Sequence, residues 1–195
     1  MGVLKGLLRP LQTWNDLILP VGRALAVAAL ALMVLAILIQ VFFRYVLNNA
    51  LPWPDEAARF AMLWMTGLIA PQAYRRGAFV AIDMLEAALP RAASALLSLA
   101  LLALSLLVLV VAVRIGWSEV TGFGGRFATA SLWVPDLSGG WLRVPRSWMM
   151  TSLLVGLALM IVVNVELMLR SLIVMAGGGA MLKPIAAPTD ELMAE

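Results

Sequence analysis

Residues 24–43 read Ala-Leu-Ala-Val-Ala-Ala-Leu-Ala-Leu-Met-Val-Leu-Ala-Ile-Leu-Ile-Gln-Val-Phe-Phe, without one charged side chain between Arg23 and Arg44. At about 1.5 Å per residue such a run crosses a hydrocarbon layer of about 30 Å. Ala92–Val113 is a second uncharged run, and Ser147–Val165 a third that is nearly as long. A spanning helix fixes both the solvent and the chemistry open to a chain, so these three runs settle the class. This is an all-α membrane protein. The first run exceeds the ~7–15 residues of a signal-peptide core and ends in Gln40-Val41-Phe42-Phe43-Arg44 rather than in small residues, so it reads as a retained helix.

Composition agrees: the chain is 63% hydrophobic and 13% charged. With no Cys and no His, imidazole-ligated haem, iron–sulfur clusters, Cys/His zinc sites and Ser-His or Cys-His nucleophilic catalysis are all excluded. The net charge of +3 would suggest nucleic acid in a soluble protein. Here the basic residues gather at helix ends, where they act as membrane-flanking anchors.

Outward from the first run, the expected organisation has three parts. Residues 1–20 place Val3, Leu4, Leu7, Leu8, Leu11, Trp14, Leu17 and Ile18 at helical spacing, with Lys5, Arg9, Gln12, Asn15 and Asp16 between them. That pattern predicts an amphipathic helix in the membrane interface, bent at Pro10. Residues 21–170 form a domain of four transmembrane helices, at about 22–45, 54–74, 92–114 and 147–169. Residues 171–195, with Gly177-Gly178-Gly179, Pro184 and Pro188, read as a mobile tail.

The second helix is the short one. Pro54 suits a first helical position, and Asp55 and Glu56 suit the positive end of the helix dipole. Its uncharged part, 60–74, is short for a span, so it crosses only if Asp55, Glu56 and Arg59 lie at the interface. Arg59 follows these acids by four and three positions and can pair with both on one face. On that reading Arg59→Ala costs assembly about 1–3 kcal/mol. Gly67 with Ala61, Ala70 and Ala73 makes a small-residue surface that another helix, in this chain or in a partner, can approach closely; Gly156 and Ala158 do the same on the fourth helix.

Six of the seven tryptophans (14, 53, 117, 133, 141 and 148) and both tyrosines fall at helix ends or in connections, the aromatic belt of a membrane boundary. Trp64 lies mid-helix. An even number of spans puts both termini on one side. With the 75–91 loop that side carries eight basic residues (5, 9, 23, 75, 76, 91, 170, 183) against six (44, 59, 114, 126, 143, 146) on the other. The bias favours cytoplasmic termini and an outward 119–146 loop.

Transporters and channels place ionisable groups or broken helices deep in the membrane. The deep polar residues here are Gln40, Thr66, Ser98, Ser105, Thr151, Ser152 and Asn164, none of them acidic, with Glu166 near a helix end. The chain therefore reads as an accessory subunit without a substrate path, cofactor, metal site or catalytic residue. The alternative is a membrane anchor or sensor that recruits a soluble partner.

Phe43-Arg44-Tyr45-Val46-Leu47-Asn48, Leu51-Pro52-Trp53-Pro54-Asp55-Glu56-Ala57-Ala58-Arg59, Trp64, Gly67 and Tyr74-Arg75-Arg76-Gly77 together resemble the signature of the small membrane (Q-type) subunit of tripartite ATP-independent periplasmic (TRAP) transporters. In that family an Arg-Tyr pair ends the first helix, a Trp-x-x-Glu-x-x-x-Arg-like run opens the second and an Arg-Gly turn closes it. Thr129–Pro135 and Val144-Pro145 match the end of the family's long outward loop. One departure lies after the turn, where the family often has a His and then a basic residue; Phe79 and Ala81 stand there, with Asp83 retained.

The resemblance implies a scaffold role beside a large membrane subunit, expected 1:1, that carries the substrate and sodium sites, with a periplasmic binding protein delivering an organic acid across the bacterial inner membrane. It also implies an assembly motif of Arg44, Trp53, Asp55, Glu56, Arg59, Trp64, Gly67, Arg76 and Gly77, with Glu56 the principal acid and Asp55 its capping-type neighbour. A loop for docking the binding protein would use Arg126, Trp133, Trp141 and Arg143. Membrane lipids complete the partners; nucleic acid is not among them.

Overall fold

A computed structural model describes residues 2–77, 90–122, 132–135, 140–145, 147–178, 182 and 185. Among these the elements are α1 (Gly2–Tyr45), α2 (Pro54–Arg75), α3 (Arg91–Thr121), β1 (Leu132–Pro135), β2 (Trp141–Val144) and α4 (Ser147–Met175). The expected interfacial helix and first span are consecutive stretches of one helix, with Pro10 and Pro20 both inside it. Each of these prolines removes a backbone donor without ending the helix. Neighbouring helices can re-satisfy such groups in a membrane.

Among the described residues three helices are long and apolar enough, by length and composition, to cross a membrane: Gly6–Tyr45, Ala93–Thr121 and Ser147–Met175. α2 does not join them, because Asp55, Glu56 and Arg59 crowd one end and Gln72 and Arg75 the other. The structure thus supports three apolar spans where the sequence suggested four. α3 runs on to Thr121 and α4 to Met175, past the expected ends at 114 and 169. Residues 171–175 are accordingly helix rather than tail, and Ile173 is fully buried.

α4 stops where Gly177 takes a positive φ of 80°. The Gly178 amide then donates to the Ile173 carbonyl and the Gly177 amide to that of Val174, the bond pattern of a Schellman cap. The strands β1 and β2 form an antiparallel hairpin in the register Leu132↔Val144, Trp133↔Arg143, Val134↔Leu142 and Pro135↔Trp141, an exception to the all-α expectation.

The chain divides into two compact units. One comprises Met1–Pro20, Ala70–Val111 and Ala158–Glu195, the other Val21–Ile69 and Ala112–Leu157. In the first, Leu19, Tyr74 and Val163 make the core, with Met160 and Leu167 packed against it. In the second, Ala26, Ala36, Ala61 and Met149 are buried, and small residues let backbones meet. Enclosure differs along the chain: 28% of the most apolar window of α4 is buried, against 6% for α3. Apolar on all sides, α3 suits lipid rather than water around it.

Candidate functional site

The first unit buries a charged network. Glu166 of α4 is fully buried. Its Oε1 accepts from Arg75 Nη2 at 2.9 Å and from Arg170 Nε at 3.0 Å, and its Oε2 from Asn15 Nδ2 at 2.6 Å. Arg75 Nη1 donates to Asp16 Oδ1 at 2.7 Å. Two guanidinium groups and two carboxylates therefore meet in these contacts.

Local rules place each member. Arg170 follows Glu166 by four positions and shares its helix face. Arg75 sits at the C-terminus of α2, where the dipole favours a cation. Its planar fork lets one side chain serve two carboxylates. A carboxylate away from water is tolerable only with such pairing. On the same two helices the buried Asn164 amide donates to the Tyr74 hydroxyl. The turn after α2 closes with the Arg76 amide on the Gln72 carbonyl, and Gly77 at a φ of 80°.

The second unit is held differently. Gly67 of α2 lies against the Ser152 backbone of α4, so close that a Cβ would overlap the Ser152 carbonyl oxygen. A Cβ on Gly156 would sit 2.5 Å from the Gly67 oxygen and 2.9 Å from its Cα. The small-residue surface foreseen at Gly67 is thus occupied by this chain's own α4.

The motif residues are spread more loosely. Arg59 Nη1 reaches Glu56 Oε1 at 3.1 Å within α2, but its side chain is 69% exposed. Asp55 is joined to α1 by Gln40 Nε2 at 3.4 Å, a long contact. Arg44 lies over the ring of its neighbour Tyr45, 5.8 Å from the centroid. The Trp53 carbonyl accepts the Ala57 amide at 3.0 Å and so opens α2. Trp64 packs on Phe60, with centroids 6.2 Å apart, and its buried indole N–H has no acceptor among the described residues. Trp133, Trp141 and Arg143 fall on the hairpin, where Trp133 and Arg143 are register partners. Arg126, Phe79, Ala81 and Asp83 lie outside the described residues.

What sequence reasoning missed is the network. Asn15 and Glu166 are 151 positions apart, and no local pattern links them. One signal was available: an acid ends a long uncharged run, with an arginine four positions on.

Residues 33–173 match the family described as tripartite ATP-independent periplasmic transporters, DctQ component. The chain belongs to this family. No curated protein and no solved structure matches it. As a DctQ component the chain is a multi-pass membrane part of a TRAP transporter and not an enzyme. The matched range takes in Gly67, Arg75, Gly156, Glu166 and Arg170, whereas Asn15 and Asp16 precede it.

Proposed function

We propose that this DctQ component is the static membrane scaffold of a sodium-driven, binding-protein-dependent secondary transporter of organic acids. It pairs 1:1 with a large membrane subunit that carries substrate and sodium, and a periplasmic binding protein supplies the substrate. The observation that carries this reading is the DctQ match over residues 33–173. Glu166 supports it. The fully buried acid of α4 has both oxygens engaged by donors of this chain, as suits a structural rather than a transport role.

In this reading α2 is a fourth span, about 33 Å long at 1.5 Å per residue, with Asp55, Glu56 and Arg59 at one interface and Arg75 at the other. Both termini are then cytoplasmic in the bacterial inner membrane. The N-terminal stretch lies at the cytoplasmic interface, and the β1–β2 hairpin faces outward with Trp133, Trp141 and Arg143 as docking residues. Arg44, Trp53, Asp55, Glu56, Arg59 and Trp64 would set the assembly geometry near the outer end of α2, Gly67 would contribute by letting α4 pack close within this chain, and Arg76 and Gly77 would shape the inner turn.

The test is co-purification. The tagged chain is extracted gently from its native membrane and the bound proteins are identified by mass spectrometry. One large multi-spanning protein in near-equal amount is expected, and deleting this chain should abolish sodium-dependent uptake of that system's substrate. Recovery of the chain with soluble proteins alone would replace the scaffold by a recruiting anchor.

A further inference from the structure

We propose that Asn15 sets the register of the N-terminal stretch of α1 against α2 and α4, through its bond to Glu166. Among the described side chains of this stretch Leu8, Asn15 and Leu19 are the buried positions, while Leu7, Trp14 and Leu17 are exposed. Spacings of seven and then four residues keep the buried three on one helix face. One polar side chain therefore interrupts an otherwise leucine stripe.

Leucines alone do not specify this alignment. Apolar burial is non-directional, and a slide of one turn, about 5.4 Å, would present Leu11 or Ile18 in place of Asn15. A hydrogen bond does specify it. The same slide takes Asn15 Nδ2 from Glu166 Oε2, now 2.6 Å away, and Asp16 from Arg75 Nη1, now 2.7 Å away. A fully buried carboxylate would then lose a donor and Arg75 an acceptor. Rotation by one residue is opposed for the same reason, since it would take Asn15 off Glu166 and bring either Trp14 or the Asp16 carboxylate to the place it leaves. Fixing register is the best-attested use of a buried polar residue in packed helices.

Asn164 provides the internal contrast. It is as deeply buried as Asn15, but it bonds to Tyr74 and so joins α4 to α2. The two asparagines have separate tasks: Asn164 ties α2 to α4, and Asn15 aligns α1 to that pair.

The chain contains no cysteine, which permits a direct test in the full chain in native membranes. Leu19→Cys is combined in turn with Met160→Cys, Val163→Cys or Leu167→Cys, residues of the core cluster around Leu19, and disulfide formation on mild oxidation is measured. With Asn15 present one pairing should dominate. Asn15→Leu should cut that yield severalfold and spread cross-linking over the other two positions, whereas Asn164→Leu should leave the pattern unchanged. If Asn15→Leu does not accumulate, Asn15→Ala is read in the same way. An unaltered pattern in the Asn15 variant overturns the proposal, as does an equal disturbance by Asn164→Leu. The readout lies within one chain and does not depend on transport or on the partner proposed above.

Discussion

α2 is joined to α4 in two chemically opposite ways. Around Gly67 and Gly156 the joint is backbone on backbone, with no room for a Cβ. Around Tyr74 and Arg75 it is made by polar side chains reaching Asn164 and Glu166. In lipid the hydrophobic effect offers little to bring helices together, because tails are as apolar as leucine. What remains is close van der Waals approach or directional bonding, and this chain uses one in each of its two units. The first joint is sensitive to size and indifferent to charge. The second is sensitive to the loss of a partner.

The polar joint is most exposed to substitution at Glu166. Glu166→Leu takes an acceptor from Arg75, Arg170 and Asn15 at once, and should cost about 3–5 kcal/mol, read as loss of folded protein or a large fall in Tm in mild detergent. Glu166→Gln, which keeps an acceptor, should lose less. A Leu variant as stable as wild type would mean that the arginines find other partners and that the joint is not closed.

Next comes the glycine joint. Gly67→Val should cost about 3 kcal/mol through overpacking against backbone that cannot rotate away. Gly116→Ala is the control, because its added Cβ meets only the Leu154 Cδ1 at 3.4 Å, the end of a side chain that can move. There the change in Tm should be near zero, or a gain of up to about 1 kcal/mol from helix propensity. Equal effects at the two glycines would remove the backbone joint from the account.

Tyr74→Phe sharpens the polar side by removing one bond without changing shape. It leaves the buried Asn164 amide without its acceptor and should cost about 1–3 kcal/mol. The smallest effect is expected where the sequence motif is strongest. Arg59→Ala breaks an ion pair whose arginine is 69% exposed, so a loss of about 0.2–1 kcal/mol should appear, below the figure of about 1–3 kcal/mol that pairing with both acids implies. A loss as large as that of Glu166→Leu would show that Arg59 is enclosed by a partner.

Much of the fold was legible. Uncharged runs at 24–43, 92–113 and 147–165 mark the three apolar helices, Pro54 with two acids marks the start of α2, and Gly77 marks its end. α3 and α4 outrun their apolar stretches, since Arg114 in the one and Glu166 and Arg170 in the other interrupt the uncharged run without ending the helix. A charge stops a hydropathy pattern; only a cap or a breaker stops a helix. Of the assembly motif, the Glu56–Arg59 pairing could be read, because three positions on a helix are neighbours. That Asp55, rather than Glu56, reaches α1 through Gln40 could not.

By itself, then, the sequence determined the solvent, the helix count to within one, the exclusion of His and Cys chemistry and, through residues 43–77, the family. These follow from local composition and spacing, which need no knowledge of neighbours. The tertiary structure alone decided that Gly67 faces Ser152, that Arg75 joins Asp16 to Glu166 and that Asn15 turns inward to an acid 151 positions away. Such pairings depend on where helices cross and on their rotation about their own axes. An amphipathic pattern names the two faces of a helix but does not say which face meets protein, and in lipid the polar face can be the inner one.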